Sequence, residues 1–204
     1  MRDLIISVSR DKKKISDFDP KVVKKIEKKE KCDFCDTDIR NDLNLHTDEN
    51  NLYASCSLCY YSEHLDKIVA MDKGRMILMP EINQQTLNNI IRFIWFLESN
   101  EDERFYEKVE TIIGLFEKIQ DREQFAESYY TEGAQDVDII INALHNFGLE
   151  KYRQRSIGFN SILWLPSKDF FKDKIKEWNA SFEGKYSFEN FEKIIEEAKE
   201  RVNG

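Results

Sequence analysis

The stretches "CDFCD" (residues 32–36) and "CSLCY" (residues 56–60) decide the architecture of this chain. They form the pattern C-x2-C-x20-C-x2-C, which contains all four cysteines of the 204-residue sequence. A C-x2-C turn places two thiolates about a metal's width apart, and two such turns complete a tetrahedron. The spacing therefore predicts one metal site with four ligands: Cys32, Cys35, Cys56 and Cys59.

The chemistry of this ligand set indicates the role of the metal. A closed set of four thiolates suits Zn²⁺ and leaves no open coordination position for water. We therefore expect one structural Zn²⁺ per chain and no catalytic metal. Such a site supplies folding free energy on the order of 10 kcal/mol, so losing it should unfold at least the first third of the chain.

The composition is that of a soluble, globular protein, with 41% hydrophobic and 34% charged residues. The longest apolar runs, such as "IIRFIWFL" at residues 90–97, are far too short to span a bilayer. The N-terminal residues lack the pattern of a signal peptide, so we expect a cytoplasmic protein. Disulfides are rare in that compartment, which favours metal binding by the cysteines.

Charge is unevenly distributed along the sequence. The net charge is −8, although residues 1–31 carry 11 basic and 6 acidic side chains. The acidic remainder disfavours binding to phosphate backbones. A nucleic-acid-binding zinc module without catalysis is therefore supported only by the lysine-rich run at residues 12–31, and such runs are more often solvated faces.

The first 80 residues are predicted to form a small zinc-stapled core with an N-terminal helix. The segment "LIISVS" (residues 4–9) is predicted to be a strand, and Asp19 and Pro20 to begin a helix. "LNL" and "LYA" suit a hairpin between the cysteine pairs. A helix with apolar positions at Tyr61, Leu65, Ile68 and Val69 should follow, and then a strand in "GRMILMPE".

Residues 81–204 are predicted to be a helical region packed on this core as one compact unit, which makes the fold class α+β and predominantly helical. Five apolar stripes at helical spacing support this prediction. Their members are Leu87, Ile90, Ile91, Ile94 and Trp95; Phe105, Val109, Ile112, Ile113 and Phe116; Val137, Ile140, Ile141 and Leu144; Phe170, Phe171, Ile175 and Trp178; and Phe188, Phe191, Ile194, Ile195 and Val202.

The run "NLYASCSLCY" (residues 51–60) and the residues before it resemble the zinc-stapled HNH nuclease motif, which implies a ββα core. In that family one histidine is the general base, an asparagine orients it, and a histidine after the last cysteine binds the catalytic metal. His46, Asn51 and Tyr60 match these positions, and Tyr60 departs from the family because a phenol is a poor Mg²⁺ ligand. His64 is a possible displaced ligand, but we expect it to be a surface residue, and His46 to hydrogen-bond the hairpin.

Three segments carry a more specific resemblance. "GRMILMPEINQQTLNNIIRFIW" (residues 74–95), "YTEGAQDVDIIINALHNFG" (130–148) and "SILWLPSKDFFKDKIKEWN" (161–179) follow the cysteine pairs in this order. This arrangement resembles the DotN family, also called IcmJ, of the Dot/Icm type IVB secretion system. The resemblance runs from about the first cysteine to residue 179 and does not cover the lysine-rich start or the last predicted helix, residues 188–202.

The family resemblance implies a non-enzymatic, HNH-like zinc protein. It would be a cytoplasmic adaptor, peripheral at the inner membrane, that binds the C-terminal tail of a DotL-like coupling ATPase within the complex that recruits effectors. Other coupling-complex subunits are further implied partners, and neither nucleic acid nor direct membrane insertion is expected. The alternative is a metal-dependent HNH-type endonuclease that uses His46 and Asn51.

Overall fold

The computed structural model describes residues 4–10, 13–47, 50–99, 114 and 116–182, and over these residues the protein has a mixed α+β fold. Its strands form two antiparallel pairs: β1 (Asn44–Thr47) with β2 (Leu52–Ser55), and β3 (Arg75–Leu78) with β4 (Ile162–Leu165). The helices are α1 (Pro20–Ile26), α2 (Ser57–Ser62), α3 (Gln84–Glu98), α4 (Glu123–Tyr129), α5 (Val137–Asn146), α6 (Leu149–Arg153), α7 (Arg155–Phe159) and α8 (Lys172–Phe182).

The β1–β2 hairpin and α2 lie as predicted around the cysteine pairs. His46 faces Tyr53 across the hairpin. The Cys56 side chain begins α2 by accepting a hydrogen bond from the backbone N–H of Cys59. The predicted order of strand, strand and helix is confirmed, whereas a likeness to the HNH fold stays a prediction.

The second sheet corrects the prediction that the chain is helical beyond residue 80. All four β4 residues are buried, and the strand pairs with β3 so that Met76 faces Trp164. A short, continuously apolar run has no periodicity that could distinguish a buried strand from a helix. β3 and β4 lie on opposite sides of the predicted division between residues 1–80 and 81–204. The division into these two regions stays a prediction.

The segment at residues 4–9 is not a strand, contrary to the prediction. Leu4, Ile6 and Val8 are buried alternately, as in a strand, but the backbone hydrogen-bonds a helix end rather than another strand. Ser7 N donates to the Ser62 carbonyl at 3.0 Å, and Ser7 O accepts from Leu65 N at 3.1 Å. The β-prone composition of this segment therefore matched its extended, alternately buried backbone, but it could not indicate which element the backbone would hydrogen-bond.

The predicted helix starts and apolar stripes are largely confirmed. The Asp19 side chain caps α1 by accepting from Lys21 N at 2.7 Å, with Pro20 at the first helical position. Four members of the α3 stripe and all four members of the α5 stripe are buried. In the next predicted stripe, Phe171 is buried in the 3-10 turn before α8, and Ile175 and Trp178 are buried in α8 itself. The predicted helix after Cys59 is shorter than expected, because α2 ends at Ser62 and Val69 is 93% exposed.

Two of the predicted stripes lie wholly or mostly outside the described residues. The stripe that begins at Phe105 falls almost entirely outside the described residues, which include only its last member, Phe116. The last predicted helix, residues 188–202, also lies outside them.

Gly74 is required where β3 begins. Its φ is +86°, and an added Cβ would overlap the Leu165 carbonyl oxygen and lie 2.8 Å from Ser167 N. We expect Gly74→Ala to lower the free energy of unfolding by roughly 2–4 kcal/mol, because a left-handed backbone conformation and a backbone clash both oppose it. Gly158→Ala, where a Cβ would meet nothing within 4 Å, is the control. Equal urea denaturation midpoints for the two variants would contradict this explanation.

Candidate metal centre

The first cysteine pair lies in a tight turn held by backbone hydrogen bonds. Cys32 N donates to Thr37 O at 2.9 Å, and Asp36 N donates to Cys32 O at 3.0 Å. Asp36 closes the turn with φ +58°, a conformation that Asp and Asn tolerate better than most residues. The local sequence therefore builds a knuckle that points both thiols to one side.

The turn is tied to the hairpin that carries the second pair. Asp33 N donates to Ala54 O at 2.9 Å, and the Asp33 carboxylate accepts from Ala54 N at 2.9 Å. Cys56 follows β2 directly, and Cys59 lies in the first turn of α2. The end of the hairpin thus brings the two knuckles together.

The four cysteine sulfurs form one buried cluster, as the spacing predicted. All four thiols are free of disulfides, and their sulfurs lie within 4.8 Å of one another. The Cys35 and Cys56 sulfurs are 3.7 Å apart, close to the separation of about 3.8 Å that Zn–S bonds of about 2.3 Å give in a tetrahedron. The donor set therefore fits a tetrahedral thiolate-binding metal such as Zn²⁺.

A buried cation faces this cluster. The Arg92 side chain, on α3, is 4% exposed, and its Nη2 donates to the Cys56 sulfur at 3.1 Å. Burial by itself would lower the pKa of Arg92, but the negative charges of Cys56 and Cys35 raise it above its usual value. Because a buried guanidinium stays charged, it stabilises anionic thiolates, the form of cysteine that binds metals.

Side-chain and backbone N–H groups also donate hydrogen bonds to the cysteine sulfurs. Asn88 Nδ2 donates to the Cys59 sulfur at 3.5 Å, and the Cys56 N–H donates to the Cys32 sulfur at 3.4 Å. Hydrogen bonds among the four thiols lower the pKa of Cys35 and raise the pKa of Cys32, and burial raises the pKa of Cys59. N–H donors around sulfur stabilise thiolates, so the protein environment matches the chemistry of the ligands.

Sequence reasoning missed the polar side chains on α3 that support the cluster. Gln84, Asn88 and Arg92 recur every four residues along one side of the helix, and all three are buried. Gln84 Nε2 donates to Asn88 Oδ1 at 2.9 Å and to the Trp164 carbonyl at 2.9 Å. A period-four polar row inside an otherwise apolar helix is the signal that could have identified them.

Asp42 was also missed, and it connects the second knuckle to α8. Its buried carboxylate accepts from Ser57 N at 3.0 Å and from the Ser57 hydroxyl, and Trp178 Nε1 donates to it at 2.9 Å. Burial raises the pKa of Asp42, with the nearby Cys56 adding to the effect against the hydrogen bonds. No sequence motif marks this residue, because its partners lie far from it along the chain.

His46 and His64, the histidines of the nuclease-like motif, are buried and lie in a row of polar side chains that contact one another. His46 is 1% exposed; its Nδ1 lies 3.0 Å from His64 Nε2, and its Nε2 lies 2.6 Å from the Glu63 carboxylate. His64 Nδ1 in turn lies 2.9 Å from the Ser9 hydroxyl. The prediction of a surface His64 is wrong, because it is 4% exposed. His46 also differs from the prediction: its side chain faces the residues after α2 instead of serving the hairpin.

The other residues of that motif do not complete a hydrolytic site. Asn51 is exposed, whereas His46 is buried. The Tyr60 ring lies 4.5 Å from the His64 ring, and its hydroxyl accepts from Lys67 Nζ at 3.0 Å. A general base must reach the water that it activates, so the buried position of His46 disfavours the endonuclease alternative.

Comparison with known proteins identifies one distant relative. No protein-family model matches the chain. The chain is 26% identical over 161 residues, 74% of its own length and 73% of the relative's, to the type 4 apparatus protein DotN of Legionella pneumophila. This similarity supports a distant DotN-like relationship. Among the described residues, no helix is both long enough and apolar enough to cross a membrane.

The role assigned to Arg92 predicts a large effect of its removal. We expect Arg92→Leu to lower the free energy of unfolding by about 3–5 kcal/mol, because it leaves the thiolates without their buried cation. Arg92→Lys should cost less, since it keeps the charge. Denaturant titration of each purified variant measures the difference.

Arg75 supplies the matched control. It pairs with Glu123 at 3.0 Å, but its side chain is 61% exposed, so Arg75→Leu should cost less than about 1 kcal/mol. An Arg92→Leu variant no less stable than the Arg75→Leu variant would show that the cluster does not depend on the cation.

Proposed function

We propose that this protein is a zinc-stabilised adaptor subunit of a type IVB secretion coupling complex, in which it binds the C-terminal tail of a DotL-like coupling ATPase for effector recruitment. The observation that carries the proposal is the similarity to DotN over 161 residues, about three quarters of each chain. A match of this extent covers more than one isolated motif. It is also consistent with the three sequence segments that follow the cysteine pairs.

We propose that Cys32, Cys35, Cys56 and Cys59 hold one Zn²⁺ whose role is structural. The burial of the sulfurs and the N–H donors around them support this assignment. Four protein thiolates fill a tetrahedral coordination sphere, so no position is left for a substrate or a water nucleophile. Metal binding would instead stabilise the seam between the knuckles and α3.

The proposal of a non-enzymatic role rests on the buried polar chain around His46. Both ring nitrogens of His46 face other side chains, His64 and Glu63. A buried, hydrogen-bonded histidine of this kind stabilises packing between the hairpin and α2 instead of activating water. The nuclease-like arrangement would then serve as a scaffold, within an HNH-like core.

The seam between the first knuckle and α3 is the place that we propose for the ATPase tail. A pocket of about 260 Å³ lies there, lined on one side by residues 35–37 and on the other by Asn89, Phe93 and Phe96. Aromatic walls with a few polar groups are typical of peptide-binding grooves. In this arrangement the zinc-stapled residues 1–80 and the helical residues 81–204 would each contribute one wall.

The proposed localisation follows from the proposed partner. The protein would act in the cytoplasm, peripheral at the inner membrane through the coupling complex. Other coupling-complex subunits are proposed partners as well, whereas nucleic acid is not.

The metal assignment predicts stoichiometric zinc. Elemental analysis of freshly purified protein should find one tightly held Zn²⁺ per chain, and Cys56→Ser should lower zinc content, solubility and thermal stability together. Ser128→Ala, at an exposed position on α4, should keep the zinc because it changes neither a sulfur nor a buried hydrogen bond. Protein that folds without stoichiometric metal would refute the structural zinc.

The partner assignment predicts binding of the coupling-ATPase tail from the same organism. Calorimetry with the zinc-loaded full chain should give a dissociation constant of about 1 μM or tighter, worth roughly 8 kcal/mol or more. Phe93→Ala should weaken binding by about tenfold, because it removes an aromatic wall of the proposed groove.

Phe125, which is 47% exposed on α4, is the control for this substitution. Phe125→Ala should leave the affinity unchanged. Absence of heat in calorimetry, together with no recovery of the ATPase in pull-downs, would rule out the adaptor. Binding that Phe93→Ala leaves intact would place the tail elsewhere on the surface.

A further inference from the structure

One side of α1 and the turn after it presents a row of lysines. Val23 packs against the core and Ile26 is buried, so these positions mark the inner side of the helix. At about 100° per residue, the opposite side carries Lys21, Lys24 and Lys25, and Lys28 follows in the next turn. All four lysines are exposed. We refer to these four residues as the lysine face.

The lysine face differs from the basic residues that follow it in the chain. Lys29 pairs with Asp33 at 2.6 Å, Lys31 pairs with Asp36 at 3.0 Å, and Arg40 pairs with Asp38. Within the part of the chain that the structure describes, the four lysines of the face make no ion pair. These four ammonium groups are therefore not held in ion pairs with described neighbours and remain available to an anionic partner.

The charge distribution would orient the protein on a charged surface. Residues 13–31 contain eight lysines against two aspartates and two glutamates, a local excess of four positive charges in a chain of net charge −8. An anionic surface attracts the lysine face and repels the acidic remainder. Such a surface would therefore hold the protein in one orientation, with α1 toward it.

Two exposed apolar side chains occur on α1 and in the 3-10 turn just before it. Val22, on the flank of α1, is 43% exposed, and Ile15, in the preceding 3-10 turn, is 41% exposed. Lysines flanked by aliphatic side chains are typical of segments that lie on anionic bilayers, where the aliphatic groups enter the headgroup region.

The same residues fit nucleic acid less well. Residues 13–31 contain no arginine, the side chain that most often reads bases and forks onto phosphate. Their one aromatic ring, Phe18, is partly buried and has the Lys13 ammonium 5.8 Å from its centroid. It is therefore poorly placed for base stacking.

We infer that the lysine face docks this protein on the anionic lipid headgroups of a membrane surface. Four lysines supply an electrostatic, reversible contact that needs no membrane-spanning helix. The contact would be separate from the ATPase-tail groove, because it uses α1 and not the seam beside α3. The inference does not depend on the secretion assignment.

Vesicle flotation with the zinc-loaded full chain tests the inference. The protein should float with vesicles of phosphatidylcholine and phosphatidylglycerol at low salt, and not with vesicles of phosphatidylcholine alone. Binding should be lost at about 1 M salt, where the screening length falls to about 3 Å. Replacing Lys21, Lys24, Lys25 and Lys28 together with glutamine should weaken binding by a hundredfold or more, since each lysine near an anionic surface contributes about fivefold.

A charge-matched control distinguishes binding through the lysine face from an effect of net charge alone. Glutamine at four exposed lysines elsewhere, Lys118, Lys151, Lys172 and Lys176, makes the same change in net charge and should leave vesicle binding unchanged. Arginine at the four positions of the lysine face should retain binding. All variants should keep the wild-type zinc content and unfolding midpoint, because the substituted side chains are exposed.

Three results would overturn the inference. One is an absence of wild-type binding to the anionic vesicles. Another is an equal loss of binding in the two glutamine variants. The third is binding of a short DNA duplex through the lysine face without any binding to vesicles. Binding of the ATPase tail by the lysine-face variant, measured in parallel, shows whether the proposed adaptor role stands independently.

Discussion

The contact between the Arg92 guanidinium and the Cys56 sulfur couples the cysteine cluster to α3. A guanidinium cannot lose its proton within the protein, so its burial requires a nearby anion. The cysteine cluster meets this requirement only if its sulfurs are thiolates, and buried thiolates in turn need cations. Arg92 supplies one such charge at 3.1 Å. Because Arg92 belongs to α3 and Cys56 begins α2, electrostatic pairing and helix packing depend on each other.

Side-chain hydrogen bonds connect the surroundings of the cysteine cluster to β4 and α8. Gln84, two turns before Arg92 on α3, accepts from Trp164 N and donates to the Trp164 carbonyl. It thereby satisfies both backbone groups of a buried strand residue, as a neighbouring strand would. Asp42 connects the second knuckle to Trp178 on α8. A perturbation at the cysteines should therefore be felt at β4 and α8.

The buried histidine pair is the structural feature that disfavours a hydrolytic role for the nuclease-like sequence pattern. His46 Nδ1 and His64 Nε2 are 3.0 Å apart, and the Glu63 carboxylate lies beside His46 Nε2. Such an arrangement places buried polar groups beside one another and orients the rings. It also removes from His46 the solvent contact that a general base requires. The polar residues therefore stabilise the junction between the hairpin and the residues after α2.

Local features of the sequence were enough to predict the cysteine cluster, the hairpin between the pairs, the start of α1 and the inner sides of α3, α5 and α8. Each of these depends on residues a few positions apart, where spacing and helical period specify geometry directly. The tertiary structure alone decided that residues 162–165 form a strand, that residues 4–9 do not, and that Arg92 and Asp42 serve the cluster. Arg92 lies 36 residues from Cys56, and Asp42 lies 136 residues from Trp178. Contacts between residues that are distant in sequence depend on how all buried charges and backbone groups find partners in the folded chain. Hydrophobic periodicity reports only local geometry and therefore cannot predict these contacts.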